Sequence, residues 1–265
     1  MSEVLDATGD DRQTALDRAA ELLQAGELVI VPTDTLYGVA ADAFDLDATT
    51  ALRTAKERDR AVPLPVLVRT PKQLPGFVAA VPAAAERLIA AFWPGPLTLV
   101  LPLKGGLRWD LGRTDGVVSV RMPLDEVALE LIRAVGPLAV TAANAPGGAL
   151  PATAADARVQ LGERVAAVVD DGPREAQRST IVDLTRATPQ VLRDGAIPTP
   201  LVLEVAAGEL DPVAAAAALT EGGEQDTSAD GAEPPGENIP EGPPVEERPL
   251  EGLHRRPRDG RDEDK

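Results

Sequence analysis

Short β-branched and aliphatic runs alternate with helix-period segments through the first two hundred residues, which restricts the chain to an α/β or α+β domain on a mixed, twisted sheet. Strand-like runs fall at Leu28 to Val31, Leu64 to Val68, Leu97 to Leu103, Val117 to Met122, Leu138 to Thr141, Val165 to Val169 and Thr180 to Leu184. Between them, Asp10 to Ala25 carries Leu16, Ala19, Ala20, Leu22 and Leu23 on one helical face and closes on Gly26. Asp47 to Lys56, Ala83 to Ala91 and Leu124 to Val135 also read as helices, the second stopped by Pro94-Gly95-Pro96. Thr153 and Asp156 are spaced as a capping box opening a further helix.

Charge divides the chain. Residues 204–265 hold 17 Asp/Glu against 6 Lys/Arg, so this segment carries -11 of the total -17 and about -6 is left for the rest. Positions 221–251 combine Pro and Gly with no apolar period and are expected to be disordered. The expected organisation is a single domain at 10–205 followed by an acidic, Pro/Gly-rich, largely disordered tail at 206–265. There is no Cys, which removes disulfides, thiolate catalysis and Cys-ligated zinc. The only histidine, His254, lies in the tail, so a Ser-His-Asp triad, an HExxH zinc helix and a His base in the core are excluded. No apolar run approaches the ~20 residues of a membrane span, and the acidic start lacks a basic leader region; a cytoplasmic location without membrane contact is expected.

Chemistry must then rest on Lys, Arg, Asp, Asn, Ser and Thr. The loop Pro32-Thr33-Asp34-Thr35-Leu36-Tyr37-Gly38 follows an apolar strand, and Lys56-x-Arg58 closes the next helix. Hydroxyls can bind the polar ends of a small molecule, while paired cations hold phosphate or carboxylate oxygens, a combination suited to a nucleotide-handling enzyme. Arg121 interrupts an apolar strand between Val120 and Met122, where a charge needs a partner. No glycine-rich phosphate loop is present.

Seven motifs occur in order: Pro32 to Gly38, Lys56-x-Arg58 with Pro63-Leu64, Phe92 to Thr98, Val120-Arg121-Met122-Pro123, Ala143-Asn144-x-x-Gly147, Ser179 to Asp183, and Leu192-Arg193-x-Gly195. Together they resemble the YrdC-type threonylcarbamoyl-AMP synthase family over roughly residues 10–205. The resemblance implies an open twisted α/β sheet with a large positive cavity. It also implies a nucleotidyltransferase that combines L-threonine, bicarbonate and ATP into threonylcarbamoyl-adenylate and releases pyrophosphate. The product would pass to tRNA threonylcarbamoyl transfer proteins for N6-threonylcarbamoyladenosine formation. The resemblance further implies that ATP is a substrate and that Mg2+ arrives with it, and it assigns no metal ligand.

Carried over position by position, the resemblance implies that Thr35, Arg121 and Ser179 hold threonine, Arg121 taking the carboxylate. Lys56 and Arg58 act as the catalytic pair, stabilising charge on the α-phosphate and the leaving pyrophosphate. Thr141, Asn144, Thr153 and Arg193 complete a nucleotide site with Lys56 and Arg58. Capping explains Thr153 equally well, and Trp93 and Tyr37 read as packing residues rather than ligands.

The chain departs from the family pattern in several places. Ala142-Ala143-Asn144-Ala145-Pro146-Gly147 stands where Ser-Ala-Asn-x-Ser-Gly is usual, Glu57 replaces a common Gly, and Leu67 stands where many relatives carry His. One lost hydrogen bond to a charged group costs about 1.5 to 3 kcal/mol, a rate defect of roughly ten- to a hundredfold. Two alternatives therefore stay open beside the active synthase: a degenerate paralogue that binds nucleotide without turnover, and an RNA-binding module, RNA contact having been linked to the family.

Overall fold

The β-branched runs become strands and the 3.6-residue patterns become helices in the computed structural model, which describes residues 2–222. In chain order the elements are β1 (Glu3–Asp6), α1 (Arg12–Gln24), β2 (Val29–Val31), β3 (Gly38–Asp42), α2 (Leu46–Ala55), β4 (Val66–Leu67), α3 (Ala83–Phe92), β5 (Leu97–Pro102) and β6 (Val117–Arg121). They continue as α4 (Glu126–Val135), β7 (Leu138–Ala142), α5 (Ala154–Leu161), β8 (Ala167–Asp170), β9 (Thr180–Asp183), β10 (Gln190–Arg193), α6 (Thr199–Ala207) and α7 (Pro212–Gly222). The ten strands form one sheet in the order β1-β8-β2-β3-β7-β4-β6-β5-β9-β10. It is mixed: β1, β2 and β8 run parallel, as do β4 with β6 and β5 with β9, and the other pairings are antiparallel.

Alternation along the strands feeds two apolar clusters. On one face Ile30, Val39, Val66, Val120, Leu99 and Val182 pack with residues of α2, α3, α5, α6 and α7. On the other, Val29, Val31, Ala40, Leu67 and Val140 join Leu16, Ala19 and Leu23 of α1 and Val127 and Leu131 of α4. This second cluster draws nothing from β5, β6, β9 or β10. There the residues alternating with the first cluster are Thr98, Val100 and Pro102 of β5, Val117, Ser119 and Arg121 of β6, and Ile181 and Asp183 of β9, so polar side chains interrupt this half of the sheet face. The site assembles on that half-face.

Capping sets where helices deliver their residues. Asp45 accepts from the backbone N–H of Asp47 and Ala48 and starts α2, whose C-cap is Lys56. The Thr153 and Asp156 capping box opens α5 as the spacing predicts.

The folded region is wider than the expected 10–205. β1 pairs with β8, matching Glu3 to Ala167, so the sheet begins seven residues earlier. Its single buried leucine, Leu5, gave too short a period to read. At the other end α6 crosses position 205 and α7 packs on α3 with Ala215 fully buried. The Ala-rich run of α7 was concealed by the acidic average of its surroundings. Apart from 221 and 222, which are in α7, the stretch expected to be disordered lies outside the described residues, as does His254. β3 was also missed, because Gly38-Val39-Ala40-Ala41-Asp42 has little β propensity. It is a central strand by close packing: a Cβ on Gly38 would stand 2.5 Å from Val140 Cγ1.

Ala215→Asp is expected to lower unfolding free energy by about 2 kcal/mol or more, the penalty of an unpaired buried carboxylate. Chemical denaturation checks this, and a change under about 0.5 kcal/mol, typical of a surface site, would contradict the docking of α7.

Candidate functional site

A buried guanidinium organises the polar half-face. Arg121, the last residue of β6 and 7% exposed, donates from Nε to the Gly95 carbonyl at 3.0 Å, from Nη1 to Thr35 Oγ1 at 3.0 Å and from Nη2 to Asp34 Oδ1 at 2.6 Å. Arginine has five N–H donors; among the described residues three of Arg121's are engaged, leaving two. The 32–37 loop is built to present Thr35. Thr33 Oγ1 donates to the Leu36 carbonyl at 2.7 Å and lies 3.0 Å from Thr35 Oγ1, so the turn is closed by its own hydroxyl. Asp34 keeps Oδ2 buried with no hydrogen-bond partner among the described residues.

Beside this group, Ser179 precedes β9. Its hydroxyl is 2.8 Å from Thr98 Oγ1 and accepts from Arg193 Nη2 at 3.0 Å, while its carbonyl accepts from Arg193 Nε and Nη2. Gly195 lets β10 approach: a Cβ there would stand 2.4 Å from the Ser179 carbonyl carbon. The Thr180 N–H donates to the Pro96 carbonyl and the Gln177 N–H to the Thr35 carbonyl, which ties the Ser179 strand to the Arg121 group.

Lys56 Nζ donates to Asn144 Oδ1 at 3.0 Å and to the Asn144 carbonyl. Asn144 Nδ2 in turn donates to the Gly148 carbonyl, and the Ala143 N–H to the Tyr37 carbonyl, so this pair abuts the end of the 32–37 loop. Arg58 is turned onto the carbonyls of Val62 and Pro63. Thr153 caps α5, and its neighbours Pro151 and Ala152 accept from the N–H groups of Tyr37 and Arg174. Thr141 pairs with Val39 and alternates with Val140 of the α1/α4 cluster, so it faces away from the Arg121 side of the sheet. The structure thus groups Thr35 with Arg121, Ser179 with Arg193, and Lys56 with Asn144; it does not bring Thr141 to the Arg121 group.

The departures acquire physical readings. Glu57 has φ +50°, the left-handed region where glycine is favoured, and its carboxylate pairs with Arg164 at 3.0 Å. The 144–149 loop closes without the two absent hydroxyls, because Gln160 of α5 accepts from the Ala145 N–H and donates to the Ala149 carbonyl. Leu67 packs in the α1/α4 cluster opposite Arg121 in the β4–β6 register.

Trp93 is core, its Nε1 donating to the Leu97 carbonyl at 2.8 Å. Tyr37 is fully buried beneath the loop, donating to the Gly172 carbonyl at 2.6 Å. Burial pushes its phenol up to about 12, against the opposing hydrogen bond from the Asp171 N–H. Sequence reasoning assigned no role to Thr98, Arg174 or Asp125, and Asp34 turns out to be the partner of Arg121. Among the described residues no three or more His, Cys, Asp or Glu are grouped to hold a metal ion. No described helix is long and apolar enough to cross a membrane.

An open mixed α/β sheet that gathers the buried hydroxyls of Thr35, Thr98 and Ser179 around one buried guanidinium, Arg121, is an arrangement suited to a small polar ligand. The chain belongs to the Sua5_yciO_yrdC family (Telomere recombination), whose model matches residues 21–195. A Mycobacterium tuberculosis protein provisionally named a threonylcarbamoyl-AMP synthase is 49% identical over 207 residues, 77% of this chain and 95% of its own length. The threonylcarbamoyl-AMP synthase of Pyrococcus abyssi is 36% identical over 190 residues, 68% of this chain and 54% of that protein. A crystal structure of P. abyssi Sua5 complexed with L-threonine superposes with a TM-score of 0.73 at 33% identity, covering 79% of this chain and 62% of that one. The chain therefore spans about three-fifths of the P. abyssi Sua5 chain.

Tyr37 is the only tyrosine, so tyrosinate absorbance reports it alone. A raised folded-state pKa means its stabilising contribution is intact below pH ~10 and is lost as pH rises toward about 12. The folded protein is expected to titrate near 12 and the denatured chain near the ordinary ~10; coincident curves would contradict the burial.

Proposed function

We propose that this chain makes L-threonylcarbamoyl-adenylate from L-threonine, bicarbonate and ATP, releasing pyrophosphate, for N6-threonylcarbamoyladenosine modification of tRNA. The observation that carries this reading is the buried Arg121 guanidinium, with two donors remaining beside the Thr35 hydroxyl. A carboxylate fits a planar pair of N–H donors, and the amino acid's hydroxyl can then reach Thr35 or Ser179. Held this way, the amine of threonine attacks the carbon of bicarbonate, forming the N–C bond of the carbamate as water leaves. A carbamate oxygen next attacks the α-phosphorus of ATP, the P–O bond to the β-phosphate breaks, and pyrophosphate departs.

Charge grows on the α-phosphate oxygens and on pyrophosphate during the second step, and fixed cations stabilise it without reorganising. Lys56, oriented by Asn144, and Arg58 take this role, with Arg193 and the N-terminus of α5 at Thr153 on the nucleotide side. Magnesium enters with the ATP phosphates. The adenylate then passes to proteins that transfer the threonylcarbamoyl group to tRNA.

Pyrophosphate release with ATP, magnesium and bicarbonate is expected to require L-threonine and to fall at least about a hundredfold in Lys56→Ala, the scale of losing a charge-assisted contact to the transition state. Release independent of threonine, or undiminished in the variant, would overturn the assignment.

A further inference from the structure

Thr35 and Ser179, the two hydroxyls assigned above to the amino acid, sit on two loops from distant parts of the chain. One side chain that the reaction does not use joins those loops. Arg174 is in the stretch between β8 and Ser179, which has no regular secondary structure. Its Nε donates to the Thr33 carbonyl at 2.9 Å, gripping the turn that presents Thr35. Its Nη1 donates to the Asp171 carbonyl at 2.8 Å and the Gly172 and Pro173 carbonyls at 3.2 Å, so its own loop wraps around it. Its Nη2 reaches Asp171 Oδ2 at 2.7 Å and Asp125 Oδ2 at 2.9 Å, and Asp125 is the 5%-exposed N-cap of α4. The guanidinium carbon lies 5.9 Å from the centre of the Tyr37 ring.

The backbone repeats the connection. The Arg174 N–H donates to the Ala152 carbonyl and, three residues later, the Gln177 N–H donates to the Thr35 carbonyl. From Arg174 the chain needs only five residues to reach Ser179. The guanidinium thus ties the carbonyl of Thr33, two residues before Thr35, to the carbonyls of the loop that leads to Ser179, adding to the direct hold of Arg121 on Thr35 and of Arg193 on Ser179.

We propose that Arg174 is a positioning residue that sets the separation of Thr35 and Ser179 and thereby selects threonine over smaller or differently shaped amino acids, a role that rests on the reaction proposed above. Lysine cannot replace it, since a single ammonium keeps the charge opposite Asp125 and Asp171 but cannot serve Thr33 and the loop carbonyls together.

The test uses the full chain and Arg174→Lys, which keeps the buried carboxylates paired. In the variant KM for L-threonine is expected to rise about tenfold, the loss of one charge-assisted hydrogen bond, while KM for ATP shifts by less than about twofold. The preference for L-threonine over L-serine narrows in the same measurement. Hydrogen exchange of the free proteins gives a readout that needs no turnover: segments 33–37 and 172–179 are expected to exchange faster in the variant, with β5 and α1 unchanged. Threonine and ATP constants that move together, a preserved threonine-to-serine ratio, or exchange that is unchanged or uniformly faster would overturn the proposal. If the parent chain shows no threonine-dependent release, the proposed reaction fails, and the exchange comparison still decides whether Arg174 holds the two loops.

Discussion

The burial of one positive charge at the end of β6 governs the rest of the site. A guanidinium removed from water is tolerated only where hydrogen bonds and an opposite charge replace its hydration. Arg121 obtains these from Asp34, Thr35 and the Gly95 carbonyl. Both contributing segments, the 32–37 loop and the Pro94-Gly95-Pro96 turn, must therefore come to it. Breaking a buried ion pair by removing one partner costs about 3 to 5 kcal/mol, so the contact that shapes the ligand site also stabilises the fold around it.

The second constraint is the unequal covering of the sheet. One face is packed along its length by five helices, whereas α1 and α4 cluster only with the β1-to-β4 half of the other. On the remaining half Thr98, Ser119, Arg121 and Asp183 share the alternating positions with Val100 and Ile181, and a buried guanidinium there is ill-suited to an apolar helix contact. The loop from β8 to Ser179 runs along the border of that half, held by Arg174 to the 32–37 turn and to the cap of α4.

Sequence periodicity located α1 to α4 and strands such as β2, β5, β6 and β7 because each buries a face wide enough to leave a 3.6- or 2-residue trace, whereas α5 was legible only from its capping box. It failed where packing is achieved by small residues, as in Gly38 to Asp42, or where a short edge strand shows one buried side chain, as in β1. Arg121 was legible as a site residue because a charge between Val120 and Met122 has no local explanation. Arg174 was not: its partners Thr33 and Asp125 lie 141 and 49 positions away, and nothing in its own loop hints at either. Asp34 was visible as a carboxylate after a strand, but only the tertiary contact reveals its partner. Glu57 stood out as a non-glycine, and its positive φ supplies the reason glycine suits that position.

Calorimetric titration of L-threonine into the parent chain and into Arg121→Lys tests the central claim most directly. The substitution keeps a positive charge near Asp34 but removes the planar donor pair. Threonine affinity is expected to fall at least about tenfold, the loss of one charge-assisted hydrogen bond, with ATP affinity preserved. Equal threonine affinity in the two proteins would contradict the placement of the amino acid carboxylate on Arg121 and with it the account of the half-face as the threonine site.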